Sequence, residues 1–318
     1  MRGSARSKAS KAVSSPRTPA QDLQTLRDFL RYAVSRFNAA DLVYGHGTAT
    51  ARDEAAFIIL EGLHLPIDEL DPYLDARLTT GEREQLAKLI EARVTTRTPA
   101  PYLLGRAYVG GVGFRVDGRA IVPRSYIGEL LRGELFASES NLLIGDPRRV
   151  RRILDLCTGS GALAVLAALT FPEAEIDAVD LSADALAVAR INVEEHGLAE
   201  RIRLLEGDLF APVSAERYDL ILSNPPYVDA EGMAALPPEY RHEPALALAG
   251  GADGLEIVRR ILAELTTHLE PGGGLLCEIG RGRERLEAEF SDVPFLWLDT
   301  EGSEGEVFWL TADTQLNC

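Results

Sequence analysis

The chain has 318 residues, 46% of them hydrophobic, with 33 Lys and Arg against 49 Asp and Glu and a formal charge of -16. That length and apolar content predict about two domains with real cores, which excludes collagen-like, largely disordered and small disulfide-stapled classes. No run reaches the roughly 18 apolar residues of a membrane span. Three scattered cysteines, Cys157, Cys277 and Cys318, are too few for a disulfide framework or a zinc site, so no metal is expected and a reducing cytoplasmic setting fits.

In chain order, residues 1–21 read as a disordered basic tail, because Arg2, Arg6, Lys8, Lys11 and Arg17 stand among Ser, Ala and Pro. Without those five bases the chain holds 28 bases against 49 acids, or -21. Phosphate neutralisation needs clustered Lys and Arg, so an acidic body argues against a broad nucleic-acid face. Residues 22–100 read as a helical domain. Leu23, Leu26, Phe29, Leu30, Ala33 and Phe37 recur at spacings of three and four, and 53–63 and 81–94 carry two further helical patterns. Residues 101–124 read as a linker with a β-hairpin, its turn placed at Asp117-Gly118, since Asp-Gly supplies the positive φ of a tight turn.

Residues 125–318 read as a second domain, in which after about Arg151 the order becomes strand, helix, strand, helix. Short apolar runs at 153–156, 176–179, 202–205, 220–222 and 275–279 alternate with helical patterns at 163–169, 183–195 and 254–269. That alternation predicts an α/β fold with a mostly parallel sheet covered on both faces. Segments 295–298 and 307–310, joined by an acidic Gly-containing turn, predict a terminal antiparallel pair.

The first strand runs into Asp155-Leu-Cys-Thr158-Gly159-Ser160-Gly161. Two glycines let the backbone turn and let a ligand come close, and ligands of open α/β sheets bind at the carboxyl ends of strands. Asp180, 19 residues after Gly161, ends the second strand, where an acid can accept from both hydroxyls of an adenosine ribose. Asp208 ends the third, placed to meet an adenine amino group, with Leu209 and Phe210 as apolar walls. These features alone suit NAD as well. Two observations favour S-adenosylmethionine: Asp155 would face the positive methionine end, and the fourth strand ends in Asn224-Pro225-Pro226-Tyr227.

That tetrapeptide fits alkylation of a planar –NH2 nitrogen, whose delocalised lone pair is a poor nucleophile. The Asn224 side-chain oxygen and the Pro225 carbonyl can each take one N–H and aim the lone pair at the incoming methyl. Two prolines stiffen the loop, and Tyr227 offers a flat wall for the planar group.

At these residues the chain resembles the S-adenosylmethionine-dependent glutamine-amide methyltransferases, over nearly all of 22–312. The matching segments are 113–130, 155–162, 224–230 and 236–248. The resemblance implies a class I, Rossmann-like methyltransferase domain with a seven-stranded sheet, preceded by a helical substrate-recognition domain and a hairpin linker. It is closest to the branch that methylates the third protein of the large ribosomal subunit. The sister branch acts on translation release factors. It typically has Pro-Arg-Pro-Glu where this chain has Pro123-Arg124-Ser125-Tyr126, and Gly-Thr-Gly where this chain has Cys157-Thr158-Gly159.

By resemblance, Asn224, Pro225, Pro226 and Tyr227 hold the glutamine amide, with Asn224, Pro225 and Tyr227 the catalytic set. Asp155, Thr158, Gly159, Ser160, Gly161, Asp180, Asp208, Leu209 and Asn224 meet the cofactor, and Glu243 lies in a loop near the substrate. Phe114 resembles a hairpin residue that closes over the cofactor, with simple packing as its equal alternative. His242 reads as a surface or locally bonded histidine. Glutamine methylation of release factors, adenine amino methylation of nucleic acid, an NAD-dependent dehydrogenase and a non-catalytic ribosome-assembly factor are the competing readings.

Overall fold

A computed structural model describes residues 18–136, 143–300, 302–312 and 314. Residues 1–17 of the basic tail and Cys318 lie outside the described residues.

The N-terminal helices are α1 (Pro19–Asp22), α2 (Leu26–Ala39), α3 (Ala51–Gly62), α4 (Thr80–Thr96) and α5 (Ala100–Leu104). Side chains start three of them by satisfying orphan amides, Thr50 accepting from Asp53 N at the start of α3. Thr25 accepts from Asp28 N while the Asp28 carboxylate accepts from Thr25 N, and Thr79 and Glu82 make the same reciprocal pair. The predicted stripe is the buried one: Phe29, Ala33 and Phe37 meet Ile58, Ile59, Leu86, Ile90 and Ala100 in one core. Pro99 and Pro101 open α5, whose Ala100 is fully buried.

The hairpin lies upstream of its expected place. Strands β1 (Arg106–Val109) and β2 (Val112–Arg115) pair antiparallel, from Arg106↔Arg115 to Val109↔Val112. The turn is Gly110-Gly111, with φ of +54° and +77°. Two consecutive left-handed residues are what a two-residue hairpin requires, and two glycines supply them with no Cβ penalty. Asp117 instead closes a local turn in which its carboxylate accepts from Arg119 N at 3.0 Å and its carbonyl from Ala120 N at 3.1 Å.

The remaining elements are α6 (Tyr126–Arg132), β3 (Arg152–Leu156), α7 (Ala162–Thr170), β4 (Glu175–Asp180), α8 (Ala183–Glu195), β5 (Ile202–Glu206), β6 (Tyr218–Ser223), α9 (Ala230–Ala234), α10 (Glu256–His268), β7 (Leu269–Glu278), α11 (Arg283–Glu289), β8 (Leu296–Leu298) and β9 (Val307–Thr311). The sheet order is β5-β4-β3-β6-β7-β9-β8. The first five strands are parallel, and β9 runs antiparallel between β7 and β8. This is the expected class I arrangement of seven strands.

Period-two alternation divides the core between the two faces of the sheet. Ile153, Leu220, Leu276 and Trp309 pack with α6 and α7 on one side. Leu154, Ile221, Leu275 and Phe308 pack with α10 and α11 on the other. Strand order reverses between β3 and β6, which makes their carboxyl ends the switch point where such sheets leave a crevice. Both motifs singled out in the sequence start there.

Candidate active site

Asp155 sits on the buried end of β3 with 0% exposure. Its Oδ2 accepts from Thr158 Oγ1 at 2.5 Å and Ala164 N at 3.0 Å, while Oδ1 is buried with no hydrogen-bond partner among the described residues. Burial pushes its pKa up to about 7, against the pull of those two donors. The turn that follows has φ of +56° at Gly159 and +77° at Gly161, and a Cβ on Gly161 would stand 3.0 Å from Ala189 Cβ. A side chain there would push α8 off the loop.

Asp180, the last residue of β4, accepts from Gly159 N and Ser182 N, each at 2.8 Å. Its carboxylate is thereby tied to the glycine turn, and burial raises its pKa. Ser160 is buried, and its carbonyl accepts from Asn192 Nδ2 at 2.8 Å. The same Asn192 donates to Arg115 O at 3.0 Å and accepts from Arg115 N at 2.6 Å. It therefore fastens the end of the hairpin to the glycine turn. Within the helical pattern of 183–195 it reads as one more polar position, so nothing in the sequence singled it out.

The expected adenine contacts are placed less simply. Asp208 is exposed, and Arg260 of α10 donates to its Oδ2 at 2.7 Å. Leu209 has φ of +48° and turns its side chain into the core beside Val179 and Phe210. Phe114 is fully buried in the core, 5.4 Å from the His196 ring, which is the packing alternative.

The Asn-Pro-Pro-Tyr segment leaves the end of β6 directly. Asn224 is half-buried, and its side-chain amide makes no hydrogen bond among the described residues. Pro225 is buried and Pro226 half-buried. The segment's exit is braced by backbone pairing, Val228 N to Leu248 O and Gly250 N to Val228 O, both at 2.8 Å. The Tyr227 hydroxyl donates to Glu278 Oε1 at 3.0 Å.

Glu243 is not open to a substrate. Its side chain is 0% exposed. Arg124 donates to it at 2.5 and 2.7 Å, and Val122 N at 3.1 Å. The His46 ring lies 3.6 Å away on the loop between α2 and α3. Burial works to raise its pKa, but the Arg124 and His46 contacts outweigh that and hold it at about 2. A carboxylate closed in this way anchors its loop rather than touching a ligand. Glu239 does the same toward the helices, accepting from Val43 N at 3.1 Å and Arg97 Nη1 at 2.8 Å. His242 is half-buried and meets Thr96 O at 3.0 Å, which is the locally bonded alternative. The turn at 238–243 is thus fastened to the helical bundle at three points.

Comparison with known proteins agrees with this geometry. The methyltransferase small domain family model matches residues 138–236. The chain is similar to a ribosomal protein uL3 glutamine methyltransferase of Bradyrhizobium diazoefficiens, 58% identical over 92% of both chains. It is also similar to its namesake in Bordetella pertussis, 54% identical over 93% of this chain and 98% of the other. A third, from Neisseria meningitidis serogroup B, is 53% identical over 93% and 96%. Identity of that order across nearly the whole length, together with the glycine turn and the Asn-Pro-Pro-Tyr loop at one switch point, means that the chain belongs to the ribosomal protein uL3 glutamine methyltransferase family.

Proposed function

We propose that this chain transfers a methyl group from S-adenosylmethionine to the side-chain amide nitrogen of a glutamine in a large-subunit ribosomal protein, the one named uL3 in its relatives. The observation that carries the reading is Asn224, whose side-chain oxygen has no partner among the described residues at the end of β6, beside a stiff and buried Pro225. A primary amide brings two N–H groups, and the Asn224 oxygen with the Pro225 carbonyl gives each an acceptor. Held in that way, the nitrogen presents its lone pair in the direction of attack, and the same acceptors strengthen as positive charge grows on the nitrogen. One amide proton then leaves to water. Tyr227 bounds the flat group.

The residues present fit the cofactor. The buried and unpaired Asp155 Oδ1 is the place for a cationic donor, such as an α-ammonium. Each Asp180 oxygen accepts one backbone N–H and keeps a lone pair for a ribose hydroxyl. Gly159 and Gly161 leave the loop backbone open, and Thr158 and Ser160 hold its shape. Asp208 and Leu209 border the expected adenine position, Asp208 with its charge shared with Arg260. When bound, S-adenosylmethionine supplies a methyl already activated by its sulfonium, so no strong base is required of the protein.

Residues 22–100 serve substrate recognition, 101–124 link, and 125–318 form the transferase. Glu243 and Glu239 position the loop beside α9 against the helices. The acidic balance suits a basic ribosomal protein better than a nucleic acid. No helix among the described residues is long and apolar enough to cross a membrane, and the cytoplasm is the compartment in which the substrate would be met.

The test is transfer of labelled methyl to purified uL3, to a release factor and to adenine-containing RNA, with Asn224→Ala as control. Label on uL3 alone, lost in the variant, is the expected result. Label on the release factor or the RNA instead would overturn the substrate.

A further inference from the structure

Glu278 is the last residue of β7 and is 1% exposed. In the sequence it stands inside the apolar run 275–279 and carries no signal of function. Three donors converge on its carboxylate. Oε2 accepts from Ser125 Oγ at 2.7 Å and Tyr126 N at 2.9 Å, and Oε1 accepts from the Tyr227 hydroxyl at 3.0 Å. Burial pushes the Tyr227 pKa well up, so its hydroxyl stays protonated and donates. The ring also lies against Gly280, where a Cβ would come within 2.8 Å of Cδ2 and Cε2. Tyr227 is therefore held at its tip by a carboxylate and along its edge by backbone.

Resting on the reading of Asn224–Tyr227 as the amide cradle, we propose that Glu278 is a positioning residue for methyl transfer, fixing the Tyr227 ring by tying its hydroxyl to the start of α6. A ring anchored only at Cβ can rock about two torsions, and displacement of a group bounding the acceptor moves the nitrogen off the line of attack. The carboxylate touches neither the reacting nitrogen nor the methyl, so it acts through Tyr227 alone.

Glu278→Gln is the informative substitution. Its amide oxygen can keep the Ser125 and Tyr126 donors, which turns the NH2 toward Tyr227 and forces the hydroxyl to accept instead of donate. A misplacement of this kind lowers kcat on the order of tenfold or more, with affinity for S-adenosylhomocysteine unchanged. The decisive readout is a double-mutant cycle: in a Tyr227→Phe background, Glu278→Gln should produce no further loss. Should Glu278→Gln fail to bind S-adenosylhomocysteine as a folded protein, the same cycle with Ser125→Ala carries the test, because it loosens the carboxylate without stranding a charge. Its smaller loss must likewise vanish beside Tyr227→Phe.

Wild-type kcat in Glu278→Gln, or losses that multiply in the double variant, would overturn the proposal. All of this is read on a wild-type enzyme that methylates protein. If the wild type labels no protein, it is the function that fails, and the two failures are distinguished.

Discussion

Replacing Asp155 by Asn probes the cofactor loop through its pH dependence. An unfolded Asp titrates at about 3.9, whereas burial raises the folded value to about 7. The folded apo protein therefore holds a proton that the unfolded chain releases. The stability contributed by that proton is full below the unfolded pKa and is lost as pH rises through the folded one. Three pKa units correspond to about 4 kcal/mol. Asn keeps an acceptor for Thr158 Oγ1 and Ala164 N and never ionises. Between pH 4 and pH 8 apo Asp155→Asn should thus gain up to about 4 kcal/mol relative to wild type in denaturant unfolding.

Cofactor binding should show the reverse trend. A cation against Oδ1 favours the ionised form, so wild-type affinity should rise about tenfold between pH 6 and pH 8, relative to Asp155→Asn. Asp180, also raised by burial, is present in both proteins and cancels in the comparison, as does the ligand's own titration. Calorimetric titration across that range is the assay. Parallel pH profiles for the two proteins would refute the reasoning.

Further expectations rest on other contacts. Gly161→Ala forces a Cβ into a left-handed residue 3.0 Å from Ala189, and should cost about 2–4 kcal/mol in denaturant unfolding and weaken cofactor affinity. A loss below about 0.5 kcal/mol would mean the loop can shift. Arg93 is 0% exposed and donates to Glu54 at 2.6 Å, so Arg93→Leu should cost about 3–5 kcal/mol by leaving that buried carboxylate with only the Thr48 hydroxyl as donor. A wild-type denaturation midpoint would contradict it. If the acidic surface steers a basic substrate, kcat/KM for the protein substrate should fall several-fold as ionic strength passes from low to physiological. A flat profile would remove steering from the account.

The parallel sheet was legible because each strand is a short apolar run set off by helical periodicity, and because burial on both faces leaves no alternation to misread. The Asp-Gly misplacement of the hairpin has a local cause. Asp117-Gly118 and Gly110-Gly111 both offer positive φ, and only pairing of Ala107 and Val109 with Phe114 and Val112 selects the second. The proposed site was legible where it rests on a backbone shape, as in the glycine turn and Asn224-Pro225-Pro226-Tyr227. It was hidden where function needs a partner distant in sequence. Glu278 is 51 residues from Tyr227, and Glu243 is 119 from Arg124. No local pattern encodes such a pair. Glu243 was found, but as a substrate contact, because sequence gives a residue's neighbourhood and not whether its carboxylate is already occupied.

The most direct measurement is fragmentation mass spectrometry of uL3 after incubation with the enzyme and S-adenosylmethionine, which locates the added methyl to an atom group. The account predicts one methyl on a glutamine side-chain nitrogen, absent with Asn224→Ala. A methyl on lysine or a chain terminus would contradict it, because an amine lone pair is not delocalised and needs no pair of acceptors to aim it, and a methyl on arginine would contradict the assignment of the substrate group.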